Sequence, residues 1–220
     1  MTPTIGLNEK GVALRQTLIA GTPAYLLTPE NEKGPAVILH GYGGVKEEVL
    51  GLGFALAGAG WKAYLPDLPG HGAHPEPLSA KSVRKFVAAL KTFAFRAAIG
   101  HSLGGRIAMA LGTGRLCLLS VPLDARFDGR KSDLLRVLRA RRVREAKPFN
   151  GLEEALAALN EPWPAPPVLL FHSFRDLPAC LAAVARAREI GWETRSVNNV
   201  GHLDIVTAPE VIAAVGAYFS

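Results

Sequence analysis

Cysteine is scarce in this chain: two residues in 220, Cys117 in an apolar strand-like run and Cys180 in a helix-like one. Two thiols so placed make no disulfide framework. Neither has metal-ligand neighbours, so both read as core residues and no metal is expected. Also missing is any run of about 18 consecutive apolar residues, so no membrane span is expected. The opening MTPTIGLNEKGVALRQ lacks the uninterrupted apolar stretch of a signal peptide, which makes cytoplasmic the default location. Aromatic residues are 7% of the chain, and none interleaves with the bases between Arg130 and Lys147. A nucleic-acid surface needs rings to stack on bases, so no nucleic-acid partner is expected.

What is present is ordinary for a globular protein: 49% hydrophobic and 20% charged residues, in a length that fits one domain, 1–220, around a sizeable core. Short apolar runs alternate with helical spacings. Val12 to Ala20 and Ala24 to Leu27 form a candidate hairpin around Gly21, Thr22 and Pro23. AVILH (36–40) suits a strand buried on both faces. Val45, Val49, Leu52 and Leu56 give a helix over 45–59, with Glu47 and Glu48 in its first turn and Gly60 ending it. Further strands are expected at 61–67, into Ser102, and at 115–121, 167–173 and 193–197. Further helices are expected at 82–91, after Ser102, at 178–190 and at 209–219. Strands separated by helices of this length pair in parallel through right-handed crossovers. The class is therefore α/β, a mostly parallel twisted sheet with helices on both faces. Residues 125–165 break the alternation with a basic helical stretch, a helix at Leu152 to Leu159 and a Pro-rich exit, EPWPAPP, and read as a small helical insertion above the sheet.

The chemistry centres on GHSLG, residues 100–104, which is G-x-S-x-G between a strand and a helix. Such a sharp turn strains the serine backbone, and glycines on either side remove Cβ atoms where helix and strand approach. The Ser102 hydroxyl is thereby lifted clear of the sheet. HGYGG (40–44) follows the AVILH strand directly, and its glycines let the loop turn a backbone N–H toward the serine. The N–H groups of Tyr42 and Leu103 are the candidate pair of oxyanion donors. A serine hydroxyl also needs a base and an orienting acid. Asp176 in FHSFRDLP and His202 in NNVGHLD each lie just past a strand end, where sites assemble on open α/β sheets. His40, His71, His74, His101 and His172 compete with His202 for the base, but only His202 occupies the last strand-end loop, beside a glycine.

These segments resemble the α/β-hydrolase fold family, in particular its small serine esterases and lipases, from the HGYGG turn to the C-terminal helix. DLPGHG (67–72) resembles the D-x-x-G-H-G segment common there, which would shape a loop and do no chemistry. The resemblance implies Ser102 as nucleophile, His202 as general base then acid, Asp176 as the orienting carboxylate, and Tyr42 with Leu103 as oxyanion donors. It makes 125–165 the variable lid. A few relatives take the acid from the strand before the lid, which would make it Asp124; the strand-end loop before the histidine strand favours Asp176. The reaction implied is hydrolysis of a small-molecule ester or thioester through an acyl-enzyme, with no cofactor and no metal. Acyl transfer or perhydrolysis by the same triad, or a non-catalytic binding module on the same fold, are the alternatives. The segment between Asp67 and the nucleophile strand is short for the family.

In the insertion, Leu134, Leu135, Leu138, Phe149 and Trp163 suggest apolar walls for an acyl pocket. Between Arg130 and Lys147 lie eight bases against two acids, a local +6 equal to the formal charge of the whole chain. One reading is a solvated helix with Leu134, Leu135, Leu138 and Val143 facing the body. The sharper one is that Arg139, Arg142 and their neighbours draw anionic substrates toward Ser102.

Overall fold

The computed structural model describes residues 4–7, 11–123, 130–148, 150–160, 162–165 and 167–220. Nine strands form one sheet: β1 (Thr4–Leu7), β2 (Ala13–Ile19), β3 (Thr22–Thr28), β4 (Gly34–Leu39), β5 (Trp61–Pro66), β6 (Ala97–His101), β7 (Arg115–Leu119), β8 (Val168–Ser173) and β9 (Glu193–Val197). Their order is β1-β2-β3-β5-β4-β6-β7-β8-β9. From β5 onward every neighbouring pair is parallel, while β1, β2, β3 and β5 pair antiparallel. The α/β architecture is therefore as the alternation implies, a mostly parallel sheet. β1 was not expected: TIGL is short and its pattern does not separate a strand from a loop.

Side chains alternate across the central strands and divide the core in two. Val37 and Leu39 on β4, Ala98 on β6, and Leu116 and Leu118 on β7 face one cluster. That cluster is closed by α2 (Ala80–Lys91), α3 (Leu103–Leu111), α5 (Gly151–Ala158) and α6 (Pro178–Glu189). Ile38, Ile99, Cys117 and Leu119 face the other, closed by α1 (Leu50–Gly58) and α7 (Pro209–Phe219). Cys117 is thus core, and burial pushes its thiol pKa up.

Local chemistry explains most helix ends. The Ser79 hydroxyl accepts from the Ser82 N–H at 3.1 Å while Ser82 Oγ accepts from the Ser79 N–H at 3.0 Å, a reciprocal cap that starts α2. Pro178 and Pro209 open α6 and α7. The helix expected over 45–59 is split, with one 3-10 turn at Lys46–Val49 before α1. The reason lies across the sheet edge: buried Asp67 accepts from the Lys46 N–H at 3.0 Å and pairs with Lys46 Nζ at 2.7 Å, and this anchors the turn.

Between β7 and β8 lie α4 (Arg130–Ala140) and α5. The polypeptide on both sides of this segment converges on one buried side chain. Arg106 of α3 donates to the carbonyls of Pro122 and Leu123 after β7, and at 2.8 Å to the carbonyl of Leu159 after α5. Main-chain bonds tie residues 144–146 to the loop after β5: Arg144 N–H to Gly70 O at 2.8 Å, Leu78 N–H to Arg144 O at 2.7 Å and Ala146 N–H to Leu78 O at 2.9 Å. Among the described residues, no helix is long and apolar enough to cross a membrane.

Candidate active site

Ser102 stands between β6 and α3 with φ of +51°, in the left-handed region that non-glycine residues rarely adopt. The turn is held by the Ser102 N–H donating to Leu119 O on β7 at 3.0 Å and the Gly105 N–H donating to Ser102 O at 3.0 Å. A Cβ on Gly100 would sit 2.5 Å from the Gly104 carbonyl oxygen and from Gly105 Cα, and one on Gly104 would drive into the carbonyls of Leu39 and His40. Those two glycines let α3 begin this close to the sheet.

Opposite the serine, His202 Nε2 lies 3.1 Å from Ser102 Oγ, and its Nδ1 lies 2.7 Å from Asp176 Oδ1. All three side chains are buried. Asp176 comes from the turn after β8 and His202 from the loop after β9, so the parallel sheet delivers all three to one edge. The carboxylate is saturated with donors. Oδ1 also accepts from the Leu177 N–H at 2.8 Å, and Oδ2 accepts from the Ser120 hydroxyl and the Ser173 N–H. Burial alone would raise the Asp176 pKa. The hydrogen bond and charge of His202, with those of Ser120 and Leu177, outweigh it and hold the carboxyl below its ordinary value.

The HGYGG loop is built by cross-bonds to DLPGHG. His71 Nε2 accepts from the Gly43 N–H at 2.9 Å, which leaves Nδ1 to donate to Pro69 O at 2.8 Å. His40 Nε2 accepts from the Leu68 N–H at 3.1 Å and its Nδ1 donates to Gly41 O at 2.9 Å. Gly44 N–H donates to Gly41 O at 3.1 Å. The N–H of Gly43 is thus taken by His71 and that of Gly44 by the loop itself. Among the described residues, those of Tyr42 and Leu103 donate to no protein acceptor. The Tyr42 ring is fixed by its hydroxyl, which donates to Glu145 Oε1 at 2.6 Å.

Several participants escaped sequence reasoning. Ser120, at φ +50°, holds the second oxygen of Asp176; its only signal is a lone hydroxyl closing the buried run RLCLL. His101 Nε2 donates to the His202 carbonyl at 2.9 Å. Burial presses the His101 pKa down to about 3, so the ring stays neutral. The Cys180 thiol donates to Ser120 O at 3.1 Å and lies 3.9 Å from His202 Nδ1. Asp176, Cys180 and His202 are the one trio of metal-ligating side chains among the described residues. Their chemistry does not suit an ion: the His202 and Asp176 atoms are engaged with each other, and burial keeps the thiol protonated.

Some of the other expectations fall on residues that are not described, and some are overturned. Asp124 and Phe149 lie outside the described residues, as does the Leu135 side chain. Leu134 and Leu138 do not face the body; both are exposed, whereas Val143 is buried. The inward side of α4 carries arginines instead: Arg139 Nη1 donates to Gly43 O at 2.7 Å and Arg136 pairs with Glu153 at 2.9 Å. Arg139 and Arg142 both reach the single Glu48 carboxylate, at 3.4 and 3.5 Å. Trp163 packs on Trp192, which precedes β9 and so lies at the sheet edge opposite Ser102.

A strained serine lifted off a parallel sheet, facing a histidine and a carboxylate from successive strand ends, defines a class of enzyme fold. A family model described as "Alpha/beta hydrolase family" matches residues 36–192, and the chain belongs to that family. At the level of the family it is a hydrolase. No curated protein sequence matches it. Its fold is similar to that of the Pyrobaculum calidifontis esterase (TM-score 0.67, 16% identity, covering 99% of this chain and 86% of that one). It is also similar to the Paleococcus ferrophilus monoacylglycerol lipase (0.64, 17%, 89% and 98%) and to epoxide hydrolase A of Mycobacterium thermoresistibile (0.64, 16%, 94% and 98%).

Proposed function

We propose that the protein is a serine hydrolase that cleaves a small-molecule carboxylic ester or thioester through an acyl-enzyme on Ser102. The observation that carries this reading is the continuous chain from Ser102 Oγ to His202 Nε2 at 3.1 Å and from His202 Nδ1 to Asp176 at 2.7 Å. In the reaction, Ser102 Oγ attacks the carbonyl carbon as His202 Nε2 takes its proton. The Asp176 carboxylate holds the imidazole by Nδ1–H and stabilises the imidazolium. The N–H groups of Tyr42 and Leu103 receive the tetrahedral oxyanion, and the α3 N-terminus adds a favourable field. His202 then protonates the leaving alkoxide or thiolate, and water, activated by the same imidazole, hydrolyses the acyl-serine. The segment between β7 and β8 acts as the lid of a single domain.

The esterase, lipase and epoxide hydrolase names among similar structures pose a choice that nucleophile chemistry decides. A serine oxygen opening an epoxide would form an alkyl ether, which an activated water cannot cleave, so turnover would stop after one event. An acyl ester on the same oxygen is readily hydrolysed. The test is hydrolysis of short p-nitrophenyl esters together with fluorophosphonate labelling. Wild type should turn over and carry the label on Ser102, whereas Ser102→Ala should do neither. Turnover by Ser102→Ala near the wild-type rate would overturn the assignment.

A further inference from the structure

We propose that the outer face of α4 docks on an anionic lipid surface. Leu134, Val137 and Leu138 are spaced i, i+3, i+4 and therefore lie on one side of the helix. They are 59%, 63% and 67% exposed. The helix is held to the body by the opposite side, through Arg136 to Glu153 and Arg139 to Gly43 O and Glu48. This inverts the usual surface helix, which buries its aliphatic stripe and shows its charges. Three adjacent large aliphatics turned to water are unfavourable unless something covers them.

Charge identifies the cover. Residues 130–147 contain eight bases and two acids. Beyond the C-terminal end of α4, Arg141, Arg142, Arg144 and Lys147 are exposed. Of these, Arg142 and Lys147 reach Glu48 and Glu154 and Arg144 bonds the His74 carbonyl, while Arg141 makes no ion pair among the described residues. Aliphatic side chains that insert among acyl chains, bordered by cations at the depth of the phosphates, are what an anionic bilayer surface binds. Phe174, 65% exposed in the turn after β8, adds an aromatic at the same edge of the sheet, the edge on which α4 rests at Gly43. A second copy of the chain is the poorer cover, because pairing this face with itself would bring two cationic segments together. The proposal does not depend on the chemistry at Ser102.

The experiment is flotation of the full chain with phosphatidylcholine vesicles, with and without phosphatidylglycerol, at low and high salt, alongside sedimentation of the protein alone. Wild type should float with the anionic vesicles only and lose at least about tenfold in partition at high salt. Leu134→Ser/Val137→Ser/Leu138→Ser should lose a further tenfold or so at low salt, with its melting temperature and its hydrolysis of a water-soluble ester unchanged. Three results would each overturn the proposal. Wild type stays at the bottom of the gradient; the triple variant floats as wild type does, which reduces the effect to bare charge attraction; or wild type sediments as a dimer that the triple variant dissociates.

Discussion

His101 Nε2 donates to the main-chain carbonyl of His202 at 2.9 Å, so the residue preceding the elbow serine holds the backbone of the histidine that faces it. The two rings lie 5.0 Å apart, and both are buried. The loop after β9 would otherwise be free to drift, and a drift of 1 Å in a reacting group is worth on the order of 100-fold in rate.

His101→Leu should therefore lower kcat by about 10- to 100-fold with little change in KM. It should also cost about 1–3 kcal/mol of stability, because the His202 carbonyl is left buried without its donor. Steady-state kinetics and urea unfolding measure both. His101→Gln, which retains a donor, should recover part of kcat, and a uniform rise in KM with kcat intact would point to a different role.

At the elbow itself, strain and chemistry separate. Ser102→Ala keeps a Cβ at φ +51° and should abolish ester turnover at unchanged stability. Ser102→Gly should be equally inactive yet more stable, by about 1 kcal/mol, because glycine adopts that backbone without penalty. Thermal melts of the two variants beside wild type check this; a glycine variant less stable than the alanine variant would mean that the turn holds no strain.

Asp176→Asn should reduce kcat by about 10⁴-fold, since an amide can neither orient the required tautomer of His202 nor stabilise the imidazolium. Asp124→Asn should leave kcat near wild type. Ser120→Ala should give an intermediate loss, because it removes a donor from the far oxygen of the Asp176 carboxylate. If Asp124→Asn proves the damaging variant, the acid comes from the other strand.

Stability should fall on mild acidification. Burial depresses His71 and His101 to about 3, below the ordinary histidine value of 6.5. Between those values the unfolded chain binds protons that the folded chain does not. Stability is therefore complete above about pH 6.5 and drops as pH falls, by up to about 1.4 kcal/mol per pH unit for each such histidine. Burial also lowers His40, His74 and His172, which act in the same direction. Asp67 and Asp176, whose carboxyls are lowered, lose their contribution only as pH falls below the ordinary carboxyl value. Urea unfolding from pH 7.5 to 4.5 should show the histidine slope, and His71→Asn should reduce it by roughly 1.4 kcal/mol per unit. A flat profile over that range would contradict burial of the neutral rings.

Much of the architecture was legible because strand and helix periods differ and the central strands are short apolar runs. AVILH, RLCLL and VLLFHS can only be buried on both faces, and the helices between them force parallel pairing. GHSLG was readable for a similar reason: only glycine tolerates the approach of α3 to β6, so the steric need is written in residue type. Asp176 and His202 could be placed at strand ends, and the structure brings their side chains to Ser102.

Contacts between segments distant in the chain were decided by tertiary structure alone. The pattern of α4 shows two faces but cannot say which one turns inward. Glu153, Glu48 and the Gly43 carbonyl sit beneath it, and the arginines took that side while Leu134, Val137 and Leu138 went out. Ser120 meets Asp176 across 56 positions, His101 meets the His202 carbonyl across 101, and Arg106 bonds the chain on both sides of the segment between β7 and β8. Local sequence specifies backbone period and steric allowance; a hydrogen bond between remote groups exists only once packing has excluded water and left each polar atom one partner to find.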